Sequence, residues 1–365
     1  MTIKEVIEVL EQVAPVSLQE TYDNAGLITG SSTWECTGVL VTLDSTEKII
    51  EEAIQRNCNL VVAHHPIIFK GLKKINGNNY VERTIIKAIK QDIAIYAIHT
   101  NLDNIIHGVN GRIADKLGLI NREVLLPKES SLKKIFCFVP ESHAEEVRLA
   151  MFNAGAGKIG NYNECSFGTE GIGTFKAGEG AEPFIGKIGE RHSEKEVKLE
   201  LVFPATIESA LVRTMKQVHP YEEVAYDIVA LDNPHPEIGS GMLGELPSAL
   251  SGPEFLGLLK TQFGLQVIRH TSLPDRLIQK VAICGGAGSF LINNSLSAGA
   301  DAFVTADLKY HEFFDADSKI LFCDLGHFET EQFTIELLAD ILRQKFPTFA
   351  ILKSDINTNP VYYYF

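Results

Sequence analysis

No C-x-x-C pair occurs among the six cysteines (Cys36, Cys58, Cys137, Cys165, Cys284, Cys323), which are scattered along the 365 residues. That spacing supports neither a disulfide framework nor a thiolate zinc site, and it implies reduced, mostly buried thiols. Basic residues are in deficit: 33 Lys and Arg stand against 47 Asp and Glu, a formal net charge of −14. A surface that acidic repels the phosphates of nucleic acid and anionic lipid, and no local basic patch offsets it. Nucleic acid is therefore excluded as an expected partner. No apolar run reaches the ~20 residues of a membrane span. Lys4, Glu5, Glu8 and Glu11 break up the apolar stretch that a signal peptide would need. A cytoplasmic protein without a membrane partner is expected. The chain also lacks a G-x-S-x-G, a Walker A and a zinc-protease string.

What is present is the composition of a folded protein, 45% hydrophobic with 29 Gly and 14 Pro, long enough for two or three domains. Thr2 and Glu5 form a capping box for an N-terminal helix whose apolar face is Ile3, Val6, Ile7, Leu10 and Val13. From residue 38 strands and helices alternate: strand 38–44, helix 46–57, strand 60–63, helix 81–91, strand 92–98 and helix 111–119. The last third repeats the pattern with strand 280–284, strand 301–307, a short helix over 308–315, strand 319–324, a long helix over 329–345 and strand 349–355. Strands joined through helices imply parallel pairing. Between the halves, 128–232 has another texture: strand 133–140, helix 144–155, a Gly-rich stretch, strand 196–204, helix 206–218 and strand 222–231. That order is ferredoxin-like and reads as an inserted domain.

The polar residues fall at strand ends. His64 and His65 follow strand 60–63, and His99, Thr100, Asn101 and Asp103 follow strand 92–98. Asp307 and His311 follow strand 301–305, and His327 and Glu331 follow strand 319–324. In an open parallel sheet, ligands bind outside these carboxyl ends. His99 and Asp103 are i, i+4, as are His327 and Glu331, so a helical turn would bring each pair to one face and onto a common ion. Adjacent histidines in a strand point opposite ways, but Pro66 breaks the strand and lets His64 and His65 serve two neighbouring ions. Imidazoles with carboxylates suit zinc, iron or manganese better than magnesium or calcium.

Other motifs are weaker. Gly155-x-Gly157-x-x-Gly160 and Gly239-x-Gly241-x-x-Gly244 lack the strand–turn–helix context of a dinucleotide site. Gly285-Gly286-Ala287-Gly288 follows a strand and opens a helix, so it either holds an anion on its backbone N–H groups or makes a tight turn. His219-Pro220-Tyr221-Glu222-Glu223 reads as a turn into a strand, with an ion or anion site as the alternative.

AHHPIIFKGLKKI (63–75), HTNLDNIIHGVN (99–110), GHFETE (326–331) and YDNAGL (22–27) resemble the Ngg-interacting-factor-three-like family, whose bacterial members are often labelled GTP cyclohydrolase I type 2 homologues. The resemblance covers nearly the whole chain, with four separated motifs in order. GKIGNYNECSF (157–167) and HPYEEVAYDI (219–228) resemble the insert of the longer bacterial members, which is similar to PII signalling proteins and to the CutA divalent-ion tolerance protein. The implied fold is α/β: a split α/β/α metal-binding domain (1–127 and 233–365) carrying a ferredoxin-like, PII/CutA-like α+β insert (128–232). The resemblance also implies two divalent ions per subunit. Their ligands would be His64, His65, Asp103, His327 and Glu331, the last bridging both, with His99 beside the centre as a further ligand or proton carrier. A toroidal homohexamer with the sites facing an internal cavity is implied as well. Tyr22, where many members have Trp, and Gly111, where an acidic residue is common, depart from the pattern without touching a ligand.

The function expected is that of a zinc-, iron- or manganese-dependent hydrolase. Paired ions generate a nucleophile at neutral pH and polarise the bond attacked, and His99 or His311 would shuttle the proton. The family label suggests opening of the guanine ring of GTP, with water adding at C8 and formate lost; another nucleotide-derived small molecule would fit the same centre. The alternative is a non-enzymatic, metal- and ligand-binding regulatory assembly gated by the PII-like insert.

Overall fold

The computed structural model of the chain describes residues 1–364. The chain divides into two compact units, one built from 1–127 with 236–365 and the other from 128–235. In chain order the strands are β1 (Gly26–Thr29), β2 (Val39–Thr42), β3 (Leu60–Ala63), β4 (Ala94–Ala97) and β5 (Ile120–Pro127) in the first half. The second unit holds β6 (Leu132–Pro140), β7 (Phe167–Lys176), β8 (Arg191–Pro204) and β9 (Tyr226–Ala230). The return half adds β10 (Gly239–Leu250), β11 (Arg269–His270), β12 (Ile278–Ala287), β13 (Ala302–Ala306), β14 (Leu321–Asp324) and β15 (Ile351–Lys353).

The first unit contains two sheets, in the orders β1-β4-β3-β2-β15 and β11-β14-β13-β12-β10-β5. β15, β2, β3 and β4 run parallel to one another, as do β12, β13 and β14, while β1, β5, β10 and β11 pair antiparallel. Alternation along the strands explains the layering. Val39, Val41, Leu60, Val62 and Tyr96 of one sheet share a core with Val281, Ile283, Val304 and Leu321 of the other. The neighbouring positions Leu40, Val61 and Ile95 turn the other way, onto Ile49, Ile50, Ile85 and Ala88 of the helices Glu47–Gln55 and Tyr80–Lys90. Ala282, Phe303 and Phe322 likewise face Leu291 and Ile292. Each sheet therefore buries both faces, and polar side chains are pushed to the strand ends.

The N-terminal helix Ile3–Val13 has its Thr2/Glu5 capping box, with Ile3, Val6, Ile7 and Leu10 buried. Val13 is exposed, and Val9 joins the buried face instead. The single helix expected over 329–345 is two, His327–Glu331 and Thr334–Lys345. The break has a local cause. Gln332 donates to the Phe263 carbonyl at 3.2 Å, and the Phe333 ring packs 5.4 Å from that of Phe263.

The second unit is a four-stranded antiparallel sheet in the order β7-β8-β6-β9 with the helices Ala144–Asn153 and Glu208–Val218. Strand–helix–strand–strand–helix–strand in this order is a ferredoxin-like topology. Ile135, Cys137, Val139, Leu199, Leu201 and Phe203 pack against Val147, Met151, Leu211 and Met215. β7 lies in the Gly-rich stretch, where no strand is legible, because it is an edge strand with mostly exposed residues and no apolar alternation. No described helix is long and apolar enough to cross a membrane.

Candidate metal centre

The carboxyl ends of β2, β3 and β4 and those of β13 and β14 open on one cavity of about 700 Å³ within the first unit. β3 stops at Ala63, and the next two residues leave strand geometry ahead of Pro66. The rings of His64 and His65 then stand 4.9 Å apart, close enough for a nitrogen of each to share a ligand group with His99. His99 lies immediately before the short helix Thr100–Asp103. His327 and Glu331 occupy one face of the turn His327–Glu331, with Nε2 and Oε2 3.1 Å apart.

All four histidines are held by Nδ1. His64 Nδ1 meets the Ile98 carbonyl at 2.8 Å and His65 Nδ1 meets Asp44 Oδ1 at 2.8 Å. His99 Nδ1 meets Asp23 Oδ1 at 2.8 Å and His327 Nδ1 meets Asp307 Oδ2 at 2.6 Å. This outward anchoring fixes the tautomer and leaves Nε2 as the free ligand atom, the arrangement usual for metal-bound imidazoles. Around Glu331 the Nε2 atoms converge. Its Oε2 lies 2.9 Å from His65 Nε2, and its Oε1 lies 3.8 Å from His64 Nε2. His64 Nε2 is 3.6 Å from Asp103 Oδ1, and His65 Nε2 is 3.3 Å from His327 Nε2. Among the described residues, two groups have ligand atoms close enough that they could hold an ion: His64, His65 and His99, and His65, His327 and Glu331.

The clustered imidazoles and carboxylates shift one another's protonation. Burial disfavours a charged His65, yet Asp44 and Glu331 raise it to about 10. His327 is raised against the same penalty to about 9, by Glu331 and Asp307. Burial opposes ionisation of Glu331 too, but the imidazoles of His327, His64 and His65 hold it well below the usual carboxylate range. Asp23, also against burial, is held at about 2 by His99 and Thr100. Asp103 is different: burial dominates and lifts it to about 7.

The residues present fit a divalent ion. His64 Nε2 and Asp103 Oδ1 are fully buried, face each other and have no hydrogen-bond partner. Orphaned buried polar atoms are costly unless something else satisfies them. Ligands at about 2.0–2.1 Å from a tetrahedral ion stand roughly 3.3 Å from one another. The observed separations of 3.1, 3.3, 3.6 and 3.8 Å bracket that value.

Gly285 and Gly286 have their N–H groups occupied, by Asn110 Oδ1 and Thr330 Oγ1 at 3.0 Å each, so the turn reading holds there and the anion reading does not. His219 is similarly consumed: Nε2 meets the Phe138 carbonyl and Nδ1 accepts from the Tyr221 N–H. His311, expected as a possible proton shuttle, is exposed, stacks on Phe314 and does not line the cavity. Its register fails because Asp307 turns into the left-handed region (φ 58°) and a short 3-10 helix, Tyr310–Ala316, carries His311 outward. Three aspartates with defined roles, Asp23, Asp44 and Asp307, were not assigned as histidine anchors from sequence. The available signal is positional, since Asp44 and Asp307 each follow a strand end by one or two residues. Elsewhere the cavity is lined by Tyr22, Phe69, Phe290, Phe328 and Tyr363, with Arg269 tied to Asp324 at 2.8 Å.

Residues 1–360 match the family model Duf34/NIF3 (NGG1p interacting factor 3). The chain belongs to the Duf34/NIF3 family. It is 40% identical over 363 residues to a Bacillus subtilis protein named GTP cyclohydrolase 1 type 2 homolog, covering 98% of this chain and 97% of that one. A Staphylococcus epidermidis protein of the same name is 36% identical over 367 residues, with both chains fully covered. Among solved structures, a Bacillus cereus protein related to NIF3 superposes with a TM-score of 0.87 at 37% identity, covering 100% of this chain and 99% of that one. The mixed α/β fold is thus shared with NIF3-like neighbours.

Proposed function

We propose that this Duf34/NIF3 chain is a metal-dependent hydrolase with a two-ion centre, acting on a nucleotide-derived small molecule bound in the cavity. The observation that carries the reading is the set of four histidines anchored through Nδ1, with the Nε2 atoms of His64, His65 and His327 gathered around buried Glu331. His64, Asp103 and Glu331 Oε1 would hold one ion, with His99 beside it. His65, His327 and Glu331 Oε2 would hold the other. The mixed N/O donor set suits zinc, and also iron or manganese. Divalent ions held there supply Lewis acidity, acidifying a water and polarising the bond it attacks.

The chain's own groups do the rest. Asp23 fixes the His99 tautomer, which leaves Nε2 to take a proton and return it to the leaving group. Phe69 stands edge-on to His99 at 5.6 Å and, with Tyr22 and Phe328, offers flat apolar surface to a planar base while excluding water. The name carried by the relatives points to hydrolytic opening of a purine's imidazole ring. We extend the proposal to a toroidal homohexamer, which light scattering on the purified protein tests.

The activity is tested by assaying the metal-loaded protein against a nucleotide panel, with His65→Ala and Glu331→Ala as controls. Turnover abolished by both supports the mechanism, and turnover that survives both overturns it. Tight ligand binding without turnover would favour a regulatory role for the second unit, which deletion of 128–232 would then abolish.

A further inference from the structure

After β15 the chain returns to the cavity. Ser354 and Asp355 dock on Glu52, through Ser354 Oγ to Oε2 at 2.5 Å and the Asp355 N–H to Oε1 at 2.9 Å. Three residues on, the Thr358 hydroxyl donates to Asp44 Oδ2 at 2.6 Å, while Asp44 Oδ1 accepts from His65 Nδ1 at 2.8 Å. Asn359 Nδ2 then donates to Glu329 Oε1 at 2.9 Å, and Pro360, Val361 and Tyr363 line the cavity. The Thr358 contact is thus pinned on both sides, by Glu52 before it and Glu329 after it.

We infer that Thr358 is a positioning residue for the metal centre, acting through Asp44 on His65. A carboxylate anchoring an imidazole holds the ring only as well as it is itself held. Asp44 spends one oxygen on His65, and Thr358 supplies the donor that fixes the other. His65 belongs to both groups of close ligand atoms, and in the proposed centre it holds one ion with His327 and Glu331. The Thr358 hydroxyl gives the carboxylate a second anchor, on the oxygen that His65 leaves unused, which opposes rotation about its Cβ–Cγ bond.

The inference rests on the metal reading above, and the experiment separates the two. Chelator competition with zinc, and the visible spectrum of the cobalt-substituted protein, are recorded for wild type, Thr358→Val and Thr358→Ser. The expected result is zinc affinity lower by about tenfold in the valine variant, with an altered cobalt spectrum, and the serine variant within about twofold of wild type. Thermal unfolding in excess chelator is measured in parallel, and the loss is read as the difference between metal-loaded and chelated midpoints. A merely structural role would lower both midpoints equally and overturn the inference. So would a valine variant that binds zinc like wild type, or a serine variant as weak as the valine. A wild-type protein that takes up neither metal would instead overturn the metal reading itself.

Discussion

A Cβ placed on Gly286 would lie 2.3 Å from Glu331 Oε1 and 3.2 Å from His327 Cε1, so the absence of a side chain at 286 is what lets the buried carboxylate sit where it does. Gly286 also has φ +63°, in the left-handed region that costs an alanine roughly 1–2 kcal/mol. Gly286→Ala is expected to displace Glu331 and reduce metal uptake by more than tenfold, with a folded far-UV spectrum retained. Elemental analysis after dialysis against zinc checks it.

The aspartates behind the histidines should matter nearly as much as the ligands. Asp307→Asn replaces the anchor of His327, and Asp44→Asn that of His65. Each should weaken metal affinity by about 10–100-fold, read by chelator competition. His311→Ala should leave affinity and turnover unchanged, because that ring is exposed outside the cavity.

The metal-free protein should lose stability as pH rises. His65 at about 10 and His327 at about 9 both lie above the ordinary imidazole value of 6.5. Their contribution is fully present below that ordinary value and is lost as pH climbs through the folded-state values. The thermal midpoint in chelator is therefore expected to fall between about pH 6.5 and pH 10. Metal uptake has the opposite slope, since ions must displace those protons. Calorimetry in buffers of different ionisation enthalpy should show proton release on zinc binding at pH 7.

Away from the metal centre, Glu52 makes a local contribution at the acid end. Burial opposes its ionisation, but Ser354, the Asp355 N–H and Arg56 hold it below the ordinary carboxylate value. Its stabilisation is present above pH 4.5 and lost as pH falls below it. Glu52→Ala should cost about 1–3 kcal/mol at pH 7 through its unsatisfied partners, with the difference from wild type shrinking near pH 3. Denaturant titrations at both pH values measure this.

The parallel cores were legible because β2, β3, β4, β13 and β14 are short apolar runs flanked by helices with clear periodicity. β7 was not, because an exposed edge strand carries little apolar alternation, nor was β10, whose sequence GSGMLGELPSAL contains three glycines and a proline. The histidines and Glu331 could be read from their positions after strands. Asp23 as the anchor of His99 could not, because the contact spans 76 residues and depends on where the segment before β1 comes to rest. The i, i+4 argument predicted the His327–Glu331 approach. His99 and Asp103 have different partners there, one anchored on Asp23 and the other facing His64.

The strands bracketing the second unit are hydrogen-bonded neighbours, with Pro127 opposite Gly239 and Leu126 opposite Ser240. Its own first and last strands are neighbours too, with Lys133 opposite Ala230. Once the second unit has formed, the long excursion between β5 and β10 is short-circuited to a few residues on either side. The loop-closure entropy that would slow pairing of β5 with β10 is then largely met in advance. A second unit that formed early would thus act as a clasp, holding the ends of β5 and β10 near each other before those strands pair.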